Sequence, residues 1–180
     1  MNEKQALSFG TWPSKLTADR LTAATVRMGN IQFFRGEILW TEGRPEEGGR
    51  NALSRRTEQG EIETVLPEPW NVRTRVHEYG GLSFHASETG ILFSNFKDSR
   101  LYLATEDGQV TPITPNNEHR YAAPVEDPGR NSWIAVREIM VKGESEPRNE
   151  LVRIKRNGTV LPLVEGADFY ADPEIGRAHV

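Results

Sequence analysis

Three observations predict an all-β fold and, within it, a β-propeller that is only partly present. Short apolar runs punctuated by Gly, Pro, Asn and Asp fill most of the chain, which is the pattern of strands and turns. The runs recur as a unit of strand, gap, strand, glycine turn and strand, and the turn glycines Gly60, Gly108 and Gly158 are spaced 48 and 50 residues apart. A repeat of roughly 40–50 residues carrying about four short strands matches one propeller blade. A single blade cannot bury both of its faces, so blades must stack around an axis. The competing arrangement is a set of unrelated β-hairpins in a sandwich.

The first unit has strand candidates at Glu37–Thr41 and Asn51–Arg56, then the turn at Gly60, then Ile62–Leu66. The second has Gly90–Ser94, Arg100–Ala104, Gly108 and Val110–Thr114. The third has Ser132–Val136, Glu150–Ile154, Gly158 and Val160–Val164. The innermost strands are expected just upstream, at Tyr79–His85, at Tyr121–Glu126 and from Phe169 onward. Trp40, Phe93 and Trp133 take equivalent places in the repeat and should be buried between blades. The count is three blades and the start of a fourth, whereas propellers close with about 4–8. Closure therefore requires more chain. Asn157-Gly158 is expected to make a type I′ hairpin turn, a stronger reading than a glycosylation sequon. Ahead of the blades, Leu16, Leu21, Ala24 and Met28 give Ser14–Met28 a helical spacing, with Ser14 placed to cap it. The division that follows is an N-terminal arm over 1–30, an incomplete propeller over 31–173 and a tail over 174–180.

Composition narrows the function classes. Apolar residues make up 36% and charged residues 27%, with a net charge of −4. That balance lacks the basic excess of a nucleic-acid binder. With no cysteine, disulfides and thiolate metal sites are excluded. The first ten residues lack the apolar core of a signal peptide. No apolar run reaches the ~18 residues of a membrane helix. A soluble, cytoplasmic protein with neither nucleic acid nor membrane as partner is expected.

No catalytic residue is expected. A serine hydrolase needs Gly-x-Ser-x-Gly at a strand-to-helix turn. Gly81-Leu82-Ser83-Phe84-His85 and Gly143-Glu144-Ser145-Glu146-Pro147 both lack the second glycine. His77-Glu78 begins like a zinc-peptidase helix, but Gly81 stands where the second histidine is required. His77, His85, His119 and His179 have no ligand spacing, so neither metal nor cofactor is expected. Glu37, Glu126 and Asp172 have no repeating inner-strand placement, which counts against a propeller lactonase. Arg73, Arg75, His77 and Glu78 are an unusual group just before an inner-strand candidate. They read either as substrate-guiding or domain-interface residues, or as solvated loop charges, with His77 as a hydrogen-bonded structural residue.

Several segments carry a family resemblance: Gly10-Thr11-Trp12-Pro13-Ser14, Glu42-Gly43-Arg44-Pro45-Glu46-Glu47-Gly48-Gly49-Arg50, and above all Asn71-Val72-Arg73-Thr74-Arg75-Val76-His77-Glu78-Tyr79-Gly80-Gly81. Phe93 to Tyr102 and Gly166 to Ala171 extend it. Together they resemble the propeller of the prolyl oligopeptidase family, in its acylaminoacyl-peptidase-like branch, from about Phe9 to Pro173. The resemblance implies a serine peptidase that cleaves short peptides or removes N-terminal residues. Its propeller would gate a C-terminal α/β-hydrolase domain bearing the Ser-Asp-His triad, a domain not expected within these residues. Ile175-Gly176-Arg177-Ala178-His179-Val180 leaves the family pattern and reads as an adapter-like, non-native tail. The alternative is a stand-alone propeller that binds a small ligand or a protein.

Overall fold

The computed structural model describes residues 26–176, together with Ala6, residues 8–11, Ser14, Leu16 and Thr17. Twelve strands form three four-stranded antiparallel sheets, each a simple meander. The first sheet is β1 (Arg27–Phe34), β2 (Glu37–Arg44), β3 (Arg50–Arg56) and β4 (Ile62–Thr64). The second is β5 (Phe84–Ser87), β6 (Gly90–Ser94), β7 (Leu101–Ala104) and β8 (Val110–Pro112). The third is β9 (Arg120–Asp127), β10 (Ser132–Ile139), β11 (Arg148–Lys155) and β12 (Val160–Glu165). The three first strands lie side by side, β1 against β5 and β5 against β9. This is blade architecture, with first strands innermost and fourth strands outermost.

The outer hairpins show how local sequence sets this repeat. Gly60, Gly108 and Gly158 donate to the carbonyls of Thr57, Thr105 and Lys155. The enclosing bonds, Thr57 N to Glu61 O, Thr105 N to Gln109 O and Lys155 N to Thr159 O, are each 2.9 Å. All three glycines are left-handed, with φ of 90°, 82° and 81°. This is a three-residue loop closed by a left-handed residue, built identically three times. The turn at Asn157-Gly158 is therefore not type I′. That type needs positive φ at both central residues, and here only Gly158 has it.

Other expectations need adjustment. The inner strand of the second blade is Phe84–Ser87. Residues 76–79 form a turn instead, because His77 and Glu78 are both left-handed at φ 58°. Met28 belongs to β1 and not to a helix. Leu21 and Ala24 lie outside the described residues. Phe169 and the residues after it, expected to open a fourth blade, form no strand. A blade's first strand needs its second for a ladder, and none stands beside it among the described residues.

Two apolar clusters join the sheets. Leu39 and Leu53 from the first sheet meet Phe84, Ala86, Phe93, Tyr102 and Ala104 from the second. Leu92 and Leu101 from the second meet Tyr121, Trp133, Ala135, Val152 and Ile154 from the third. Because side chains alternate along a strand, Phe93 faces the first sheet while Leu92 faces the third. Trp133 likewise points back toward the second sheet. Trp40 adjoins Leu39 and so takes the face of the first sheet turned away from the second. All three aromatics are buried, but only Phe93 and Trp133 lie between blades. Trp40, expected there too, is covered on the outward face of the first sheet, where no further blade stands among the described residues. Polar links reinforce the blade contacts. The Gln32 side chain acts as a surrogate strand for Ala86, donating to its carbonyl at 2.9 Å and accepting from its N–H at 2.8 Å. No helix among the described residues is long and apolar enough to cross a membrane.

Candidate functional site

The candidate residues lie on a strap that ties the three blades together at one end. Residues 71–81 leave the first blade and cross the ends of the other two. Asn71 and Val72 are held by the first blade: the Asn51 N–H donates to Asn71 Oδ1, and the Val72 N–H to Asn51 O at 2.8 Å. At the second blade, Val72 bridges Asn95 and the Arg73 N–H donates to Ser94 O at 3.1 Å. At the third, the Thr74 hydroxyl donates to Tyr121 O at 2.8 Å, and Val76 enters a cluster with Ala122, Ala123 and Val136. Alternation does the sorting. Val72, Thr74 and Val76 are buried, and Arg73 and Arg75 are exposed.

Arg73 and Arg75 converge on one ring. Their guanidinium carbons stand 4.7 Å and 4.2 Å from the centroid of Phe96. Phe96 is half-buried, and its N–H donates to Asn71 O at 2.9 Å. Neither arginine has a carboxylate at ion-pair distance among the described residues.

His77 and Glu78 are separated from this pair and belong to the third blade. The His77 N–H donates to Glu138 Oε1 at 2.6 Å, and its Nε2–H donates to Tyr170 O at 2.9 Å. The imidazole also meets the Phe169 ring edge-on at 5.1 Å. Glu138 is 1% exposed, and its Oε2 has no hydrogen-bond donor among the described residues. Its nearest cation is Arg120, at 3.5 Å. Arg120 also donates to Arg75 O at 3.1 Å and to Glu78 Oε1 at 2.5 Å. That hydrogen bond and the attraction of the same guanidinium, with a smaller pull from Arg75, hold the Glu78 carboxyl below the usual carboxylate range. Beside this network lies an open cavity of about 1030 Å³, whose lining includes Tyr79, Met140, Pro147, Asn149 and Phe169.

The structure thus splits the group of four into an unpaired cationic pair and a hydrogen-bonded pair. Sequence reasoning missed Phe96, Arg120 and Glu138. Glu138 leaves a trace: an acid alternating with Ile134 and Val136 on the buried face of an otherwise apolar strand. Ser83 has no nucleophile geometry. It is 3% exposed, and its hydroxyl donates to Asn30 Oδ1 at 2.9 Å. It precedes β5, so it is on no strand-to-helix turn. His85, on β5, has its pKa lowered by burial, opposed by the charge of Glu126. Among the described residues, no three His, Asp or Glu side chains group to hold a metal ion.

Three stacked four-stranded blades crossed by a polar strap define the chain as part of a β-propeller, of the kind carried by propeller-containing peptidases. The particular likeness is to puromycin-hydrolysing enzymes. A puromycin-hydrolyzing peptidase from Mycobacterium tuberculosis superposes with a TM-score of 0.82 and 32% identity, covering 95% of this chain. Puromycin hydrolase superposes with a TM-score of 0.74 and 30% identity over 86% of this chain. A mutant of puromycin hydrolase complexed with PGG gives the same values. The match falls on the N-terminal part of those peptidases, which belong to the prolyl oligopeptidase family named by the motif resemblance. The chain spans 26% to 29% of their length. No family model and no curated protein matches it.

Proposed function

We propose that this chain is the propeller part of a cytoplasmic serine peptidase and controls access of short peptides to a C-terminal α/β-hydrolase domain. The observation that carries the proposal is the 32% identity to a peptidase across 95% of the chain. On this reading the strap supplies the working surface: Arg73 and Arg75 at Phe96, and His77 and Glu78 farther along at the third blade, are the residues that would touch a peptide or the hydrolase domain. On this reading 1–30 is an arm, 31–173 the propeller and 174–180 a foreign tail. No catalytic residue is assigned here, because acyl transfer needs an activated nucleophile, a base within reach and oxyanion donors.

The test is to assay the chain alone and the chain extended by the coding sequence that follows it in the genome. The chain alone should leave peptides and acyl-peptides intact. The extended protein should hydrolyse them and lose activity to serine-directed inhibitors. Turnover by the chain alone that Ser83→Ala abolishes would overturn the proposal. So would a downstream sequence without Gly-x-Ser-x-Gly.

A further inference from the structure

Most arginines near the blades' ends are neutralised. Arg44, Arg50, Arg55, Arg120, Arg137 and Arg156 each face a glutamate. Arg73 and Arg75 differ. They lie two apart on one exposed edge, both stand over the ring of Phe96, and have no carboxylate at ion-pair distance among the described residues, Glu78 attracting Arg75 only from farther off. Two like charges held close together repel one another, and a carboxylate seated between them would relieve that repulsion.

The pair is also held in place. The backbone between the arginines is fixed from both sides, by Arg73 N–H to Ser94 O and by the Thr74 hydroxyl to Tyr121 O. Phe96 is anchored through Asn71, at the start of the same strap. Stacking on a ring restricts each guanidinium to a plane and leaves its N–H edge free. A fork of this kind matches the two oxygens of a carboxylate. The site therefore exists before any ligand arrives, which lowers the ordering cost of binding.

We propose that Arg73 and Arg75, stacked on Phe96, form a carboxylate-binding site that takes the C-terminal carboxylate of a peptide. The carboxylate follows from the arginine pair itself. The peptide as its carrier rests on the peptidase reading above. Farther along the same strap, the cavity lined by exposed Tyr79 and Phe169 offers apolar surface.

The experiment titrates the whole chain with N-acetyl-trialanine, with its C-terminal amide and with acetate, following the arginine Nε–H signals by NMR. The acid should bind saturably and shift the Arg73 and Arg75 signals, whereas the amide should bind at least about tenfold more weakly. Arg73→Gln and Arg75→Gln should each weaken the acid by about tenfold, and the double variant should abolish its preference over the amide. Both side chains are exposed, so thermal melts of the variants should match the parent. In the unaltered chain, added salt should shrink the acid-over-amide preference, a readout that depends on no variant. Equal binding of acid and amide, or acid binding that survives the double variant, would overturn the site. Acetate binding as tightly as the peptide acid would leave the site standing and overturn the peptide as its carrier.

Discussion

The two end faces of the blade array are finished differently. The outer face of the first sheet is apolar and open: Ile31 and Phe33 are both 72% exposed, and Ile62 is 68% exposed. They share that face with Trp40 and Ile38, as the pairings Ile31–Trp40 and Phe33–Ile38 show. The outer face of the third sheet is sealed near the axis. Ile134, Val136 and Glu138 are buried, with Val76 of the strap and Tyr170 packed over Val136 and its neighbours. The middle sheet is covered on both sides. Similar strand patterns therefore meet three environments, and the strap accounts for much of the difference. It seals one end face, and in doing so it carries the candidate site to the blade ends.

The largest effects should come from comparing phenylalanines in the two settings. Phe93, fully buried between the first two sheets, should cost about 3–5 kcal/mol when changed to Ala. Phe33→Ala on the open face should stay within about 0.5 kcal/mol. Urea denaturation of the two variants measures the gap, and equal losses would break the comparison. A second contrast sets the two strap-linked carboxylates against each other. Glu138→Gln removes a buried charge facing Arg120 and should cost about 3 kcal/mol. Glu78→Gln, at the exposed end of the same arginine, should cost far less, because water screens that pair.

Acidification should have a smaller effect, distributed over both ends of the array. Burial pushes the Glu42 carboxyl up, but hydrogen bonds from Arg44 and Trp40 outweigh it and leave it below its ordinary value. Glu126 follows the same balance, with burial opposed by Arg156 and Thr89. Since both folded values lie below the unfolded ones, their contribution is present above the ordinary glutamate range near about 4.3 and is lost as pH falls through the folded values. Denaturant midpoints measured between neutral and about pH 3 should drop, and Glu42→Gln with Glu126→Gln should flatten the drop. The smallest stability change belongs to the open face. Ile31→Thr with Phe33→Thr should leave the midpoint almost unmoved while reducing the binding of a hydrophobic dye, because it removes an exposed patch and no core contact.

Most of the fold was legible because its signals are local. The recurring glycine turns, the short apolar runs at Gly90–Ser94 and Ser132–Val136, and the burial of Trp40, Phe93 and Trp133 all follow from nearest neighbours in sequence. The turn type at Asn157-Gly158 was misread because loop length, not the dipeptide alone, decides which residue must be left-handed. The strap was the harder case. Its alternation of Val72, Thr74 and Val76 with Arg73 and Arg75 is visible and resembles an inner strand. Its bonding partners are Asn51, Ser94, Tyr121 and Glu138, spread over three blades, and no local pattern connects them. For the same reason the candidate group of four looked like one site, when Phe96 claims two members and Glu138 and Tyr170 hold His77.

Residue-level amide hydrogen exchange on the intact chain tests most directly whether three blades stack in this order. Amides of β6 and β7, flanked by both clusters, and of β10, between the second cluster and the strap, should be the slowest to exchange, and those of β1 and β4 the fastest among the strands, with the strap amides of Val72 and Arg73 protected alongside the middle blade. Uniform protection across all three sheets, or a first sheet slower than the second, would contradict an array whose middle blade is buried on both faces and whose first blade is open on one.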